Sequence, residues 1–179
     1  MGWNIHIIDD FLPKDVFNNI YKNIDRISFT PMYVKKGEAE HIFFSSVISY
    51  DDDFIKIVRE NVRKKFRQEM KRISMAAWTL TNARKPHPHS DREEFPGERH
   101  LMIYIKGTEE VNSGTGFYLK GEKSYDLNTH IGFKENRAVL FTAEDCWHSP
   151  LLWDSQSMGR YAALVWFESV DYNELCKND

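Results

Sequence analysis

Gly159-Arg-Tyr-Ala-Ala-Leu-Val-Trp-Phe167 reads as a strand with two unlike faces. Successive side chains on a strand point to opposite sides. Arg160, Ala162 and Leu164 therefore share one face, while Tyr161, Ala163 and Val165 take the other. An arginine in line with Ala162 and Leu164 is directed inward, and a buried guanidinium requires an anionic partner. The plain alternative for Arg160 is a surface salt bridge.

Outward from this segment the pattern stays strand-like. Residues 77–84, 99–106, 115–119 and 137–142 are short apolar runs separated by polar turns. The first part of the chain differs. Residues 4–9 and 41–49 read as strands, and Pro13 suits the first position of a helix that buries Val16, Phe17, Ile20, Ile24 and Ile27. A second helix is expected over residues 52–73, with Phe54, Ile57, Val58, Val62, Phe66, Met70 and Ile73 as its apolar stripe. Its other side carries Lys56, Arg59, Arg63, Lys64, Arg67 and Lys71, read as a solvated face because no aromatics interleave the charges to stack bases. Strands after two helices give an α+β, mainly β class: a double-stranded β-helix, or jelly roll, supported by N-terminal helices. The expected organisation is one domain over 1–179, with helical support over 1–73 and the core over 74–179.

Composition narrows the function classes. A net charge of −3 argues against a dedicated nucleic-acid binder. No apolar run approaches the length of a membrane span, and the opening residues do not read as a signal peptide. Cys146 and Cys176 form no Cys-x-x-Cys pair, which fits two thiols in a reducing cytoplasm. The expectation is a soluble, cytoplasmic protein.

Two further segments carry chemistry: His87-Pro-His-Ser-Asp91 and Cys146-Trp-His-Ser-Pro150. An i, i+2 pair on an extended segment points both side chains the same way, so His89 and Asp91 can clasp one ion. His148 from a distant strand or loop completes a two-histidine, one-carboxylate face. Such a face suits Fe(II) and leaves positions open, although zinc, manganese or nickel also accept these donors. His87 can compete with His89, but only His89 has an aspartate two residues on. His6, His41, His100 and His130 have no such spacing and are read as structural or solvated. A dicarboxylate such as 2-oxoglutarate would supply the anion that Arg160 needs.

These segments, with Arg99-His-Leu-Met-Ile-Tyr-Ile-Lys106, Ser113-Gly-Thr-Gly-Phe-Tyr118 and Phe133-Lys-Glu-Asn-Arg-Ala-Val-Leu-Phe141, resemble the Fe(II)/2-oxoglutarate-dependent oxygenases, most closely the prolyl hydroxylase-type branch. The resemblance implies that His89, Asp91 and His148 ligate iron. It implies that Arg160 and Tyr104 hold the distal carboxylate of 2-oxoglutarate, and that Met102, Phe117, Leu140 and Trp166 line the pocket. It implies O2 as co-substrate, ascorbate as reductant, and hydroxylation of an unactivated C–H bond with release of succinate and CO2. Related halogenases lack the carboxylate, so Asp91 favours hydroxylation.

The chain departs from that branch in places. Trp78, Thr79 and Thr81 stand near a usual tyrosine, Gly114-Thr-Gly116 replaces a Gly-Gly pair, and Ala162 stands where some relatives have Ser or Thr. These changes leave the substrate open between a protein or peptide side chain, such as proline, and a free amino acid or small metabolite. Loops 31–40 and 92–98 are expected to flank the entrance. A repair-type nucleic-acid demethylase would carry a second arginine where Leu164, Val165 and Trp166 stand. The alternative from another class is a metal- or ligand-binding jelly roll without catalysis.

Overall fold

The computed structural model describes residues 4–33, 42–82, 88–109, 113–144, 146–151 and 159–171. His41, His87, Cys176 and most of loop 31–40 lie outside them. The N-terminal part holds β1 (His6–Ile8), α1 (Lys14–Asn23), β2 (Thr30–Tyr33), β3 (Ile42–Val47) and α2 (Asp53–Asn61). The rest holds β4 (Gln68–Thr81), β5 (Arg99–Lys106), β6 (Gly114–Lys120), β7 (Tyr125–Gly132), β8 (Ala138–Thr142), β9 (Trp147–Leu151) and β10 (Arg160–Asp171). Sequence patterning marks no strand at β2, β7 or β9. A seven-stranded sheet runs β1-β8-β5-β10-β4-β3-β2, and a three-stranded sheet runs β7-β6-β9. Their strand pairs are antiparallel. After β4 and β5 in the large sheet the chain crosses to the small one for β6 and β7, returns for β8, crosses again for β9 and returns for β10, and His89 bridges His148 to lengthen the small sheet. No helix is long and apolar enough to cross a membrane, among the described residues.

The second helix is shorter than expected. Asp52 caps it, its side chain accepting from the Phe54 amide at 2.8 Å. A π-helical turn, Val62–Phe66, follows, and Arg67 in the left-handed region (φ 57°) ends it. Met70 and Ile73 belong to β4 instead. The misreading has a physical cause. The register of β4 against β10 shifts twice, leaving Lys71 and Ser74 as extra residues. Each bulge turns a strand spacing of two into three, so the buried Met70, Ile73 and Ala76 imitate a helical stripe. The strand core therefore begins at Gln68, and β1–β3 extend its sheet rather than forming purely helical support.

Pro13 also shifts by one position. It precedes α1 as the N-cap with an extended ψ of 141°, and its carbonyl accepts the Phe17 amide at 2.9 Å. The basic residues of the second helix meet acceptors nearby: Lys56 with Asp53, Lys64 with Glu60, Arg59 with the Met70 carbonyl, and Lys65 with the Asp10 carbonyl.

Strand parity divides the core in two. Leu101, Ile103, Ile105, Leu140, Ala163 and Val165 face the helices, packing with Phe11, Phe17, Phe54 and Val58. Met102, Tyr104, Phe117, Phe133, Val139, Phe141 and Ala162 face the gap between the sheets. Each fully buried Val, Leu, Ile, Phe or Met side chain among these contributes roughly 1.5–3 kcal/mol. Leu140 thus lies on the helix side and does not line the gap; its neighbours Val139 and Phe141 do.

Asn136 ties the chain's opening to the core. Its Oδ1 accepts from the Leu12 amide at 2.8 Å, and its Nδ2 donates to the Leu12 carbonyl at 2.9 Å. Its φ of 59° also suits asparagine better than most residues. Asn136→Ala is expected to cost about 2–4 kcal/mol, because two buried groups of Leu12 lose their partners. A denaturant midpoint at unchanged slope measures this; a loss below about 0.5 kcal/mol would rule out a structural role for the turn.

Beside it, Arg137 hydrogen-bonds Asp9 at 2.6 Å and Lys134 adds a second contact at 2.8 Å, which hold the Asp9 carboxyl at about 2 instead of 3.8. A depressed carboxylate stabilises the fold above the unfolded value and loses that effect as pH falls through the folded one. Asp9→Asn should therefore flatten part of the stability loss between about pH 4 and pH 2. An unchanged acid-unfolding curve would refute this.

Candidate active site

Register alone places the three metal-type residues together. The amide of His89 donates to the His148 carbonyl at 3.0 Å, and the amide of His148 donates back at 2.8 Å. Residues that exchange both bonds sit directly opposite and share a sheet face. Asp91, two residues beyond His89, returns to that face. The potential ligand atoms of His89, Asp91 and His148 lie within 4.8 Å of one another. His89 Nε2 is 3.7 Å from Asp91 Oδ1, and His148 Nε2 is 3.8 Å from Asp91 Oδ2. Asp91 and His148 are buried, while His89 is partly exposed and opens the cluster to one side.

The surroundings prepare these groups as donors. Burial pushes the His148 imidazolium down to about 3, so the ring is neutral at physiological pH. Its Nδ1 lies 3.0 Å from the Cys146 carbonyl, an arrangement that commits Nδ1 as donor and leaves Nε2 with its lone pair. Burial alone would raise the Asp91 carboxyl, but the imidazoles of His148, His100 and His89 draw it below the ordinary carboxylate range. Phe141 and Phe117 pack near the His148 ring, at centroid distances of 4.9 and 6.3 Å.

Arg160 stands elsewhere in the same gap between the sheets. It is buried, and among the described residues it forms no ion pair. Nη1 donates to the Gly114 carbonyl and, at 3.2 Å, to Thr115 Oγ1, while Nε has no partner among the described residues. The guanidinium lies 5.2 Å from the Tyr104 ring centroid. The Tyr104 hydroxyl donates to Thr115 Oγ1 at 2.8 Å. Burial raises the Tyr104 phenol and lowers the Arg160 guanidinium from their ordinary values. Gly114 is a position that only glycine fits. Its φ is 141°, and an added Cβ would collide with the Ile131 carbonyl.

No family model matches the chain, and no curated protein sequence matches it. Solved structures do. An oxidoreductase of the 2OG-Fe(II) oxygenase family from Burkholderia pseudomallei superposes with a TM-score of 0.65 at 7% identity, covering 94% of this chain and 88% of that one. A Trichoplax adhaerens prolyl hydroxylase, in complex with a hypoxia inducible factor oxygen degradation domain peptide fragment, gives 0.63 at 12%, covering 98% and 87%. A Pseudomonas putida prolyl-4-hydroxylase gives 0.57 at 12%, covering 93% of each. The fold is that of the 2OG-Fe(II) oxygenases.

Within this fold two inward-facing rows join Arg160 to the cluster of His89, Asp91 and His148. On β5 they are Tyr104, Met102 and His100; on β10, Arg160, Ala162, Leu164 and Trp166. Ala162 pairs with Tyr104, Leu164 with Met102, and Trp166 with His100. His100 and Trp166 thus arrive beside Asp91. Trp166 Nε1 donates to Asp91 Oδ2 at 3.0 Å, and His100 Nδ1 lies 3.0 Å from the same oxygen. The sequence reading of His100 as a partnerless histidine is therefore corrected. The missed signal was parity: steps of two from Tyr104 lead through Met102 to His100. The turn after Asp91 closes one side, with Phe95 stacked on Trp166 at 5.0 Å.

Proposed function

We propose that the protein is an Fe(II)- and 2-oxoglutarate-dependent dioxygenase that hydroxylates an unactivated C–H bond. The observation that carries this reading is the buried Arg160, unpaired by any carboxylate among the described residues, set in the same intersheet gap as a two-histidine, one-carboxylate cluster. The donor set fits a divalent transition metal: neutral imidazole, ionised carboxylate, and His89 at an open side. The guanidinium, with an unpartnered Nε, fits a carboxylate anion. When bound there, iron and 2-oxoglutarate supply the O2-dependent oxidation that releases succinate and CO2.

The chain's own residues do the rest. His89, Asp91 and His148 would hold the metal. Arg160 would bind the distal carboxylate, with Tyr104 and Thr115 orienting it by hydroxyl contacts. Met102, Phe117 and Phe141 keep the gap dry, which strengthens these polar contacts. We read the two-sheet core as a double-stranded β-helix within one domain. We take a peptide side chain such as proline as the first substrate to try, because two of the similar structures are prolyl hydroxylases.

The test is succinate formation by protein supplied with Fe(II), ascorbate, O2 and 2-oxoglutarate, with and without proline-containing peptides. Thermal unfolding is followed in parallel. Metal plus 2-oxoglutarate at about 100 times Kd should stabilise the folded state by about 2.7 kcal/mol. Neither turnover nor a thermal shift would leave a non-catalytic β-protein as the better reading.

A further inference from the structure

We propose that His100 and Trp166 act as positioning residues that hold Asp91 by its Oδ2 and leave Oδ1 as the single oxygen offered to the metal. The inference rests on the function proposed above. Trp166 Nε1 already occupies Oδ2 at 3.0 Å. His100 Nδ1 lies 3.0 Å from that oxygen, while its Nε2 has no hydrogen-bond partner among the described residues. A buried polar ring held this close to one carboxylate oxygen demands an explanation. Here the ring is clamped, stacked on Trp166 at 4.2 Å and packed on Phe141 at 4.7 Å. It thus sets a second donor beside one carboxylate oxygen. Oδ1 faces His89, at 3.7 Å from its Nε2, while His148 Nε2 lies 3.8 Å from Oδ2, the oxygen that Trp166 and His100 crowd.

With Oδ2 committed, the carboxylate takes one coordination position rather than two. This keeps an additional position open, which a site that must also admit a bidentate acid and O2 requires. The family-level triad does not contain this arrangement. It follows from the parity of β5 and β10, which brings His100 and Trp166 opposite each other. Outer contacts of this kind orient the ligand and tune its basicity.

The experiment titrates full-length protein with Co(II) under anaerobic conditions, reading affinity and the visible ligand-field spectrum, with no turnover required. The variants are Trp166→Phe, His100→Leu and His100→Asn; the asparagine amide can place a donor near the position of Nδ1. Circular dichroism of the metal-free forms confirms folding. Trp166→Phe and His100→Leu are expected to weaken Co(II) binding by about 10–100-fold and to alter its spectrum toward a higher coordination number. His100→Asn should recover most of the affinity. Wild-type affinity and spectrum in folded Trp166→Phe and His100→Leu would overturn the inference while leaving the proposed function standing. Equal losses in His100→Leu and His100→Asn would overturn the role of the Nδ1 donor. Failure of the wild-type protein to bind Co(II) would overturn the function and the inference together.

Discussion

Asp91→Ala is expected to abolish metal-dependent stabilisation and succinate formation together. Outer contacts to a metal ligand are worth about 10–100-fold, so losing the ligand should exceed about 100-fold in affinity. The charge matters beyond the lost bond. Asp91 is the sole carboxylate of the cluster among the described residues, and imidazole donors add no negative charge to balance a divalent ion in a buried site. Asp91→Asn separates these effects. The amide oxygen can still accept from Trp166 Nε1, so packing and the indole contact survive while the charge is lost. Both variants should stay folded without metal, because a buried carboxylate is itself costly to desolvate. Isothermal titration with Mn(II) is the direct measurement. Near-native binding by Asp91→Asn would mean that the ion sits elsewhere.

The site was legible from sequence to the extent that strand parity and i, i+2 spacing determine it. His89 and Asp91 follow from the pleat, and Arg160 follows from the two-faced pattern of its strand. His148 needed more, because nothing local pairs it with His89; only the reciprocal backbone bonds do that. His100 is legible only through the alternation of its own strand, because no short spacing links it to the metal motif. The helix-to-strand boundary was not readable by periodicity. Two bulges gave β4 a local spacing of three, and the break falls at Arg67, a residue with no sequence mark of a left-handed turn. β9 was obscured by Pro150, and β7 by its exposure: Tyr125 and Leu127 lie on it without entering the core.

Arg160→Met should separate stability from function. In the metal-free protein the guanidinium is buried with Nε unpaired and no carboxylate beside it among the described residues. Replacing a buried charge by an apolar chain of similar length is often neutral or stabilising by about 1–4 kcal/mol. Here the gain is offset by the Gly114 carbonyl and Thr115 hydroxyl, which lose a donor at roughly 1–3 kcal/mol if left unsatisfied. The unliganded melting temperature should therefore move little. The response to 2-oxoglutarate should move greatly, because breaking a buried charge pair costs about 3–5 kcal/mol, on the order of 100- to several thousand-fold in affinity. Arg160→Lys keeps the charge but loses the planar fork, and should restore only part of the binding. Thermal shift across a 2-oxoglutarate series, at fixed Mn(II) without O2, reads both quantities from one set of melts. A large fall in unliganded stability with unaltered 2-oxoglutarate affinity would make Arg160 a packing residue and move the anion site away from β10.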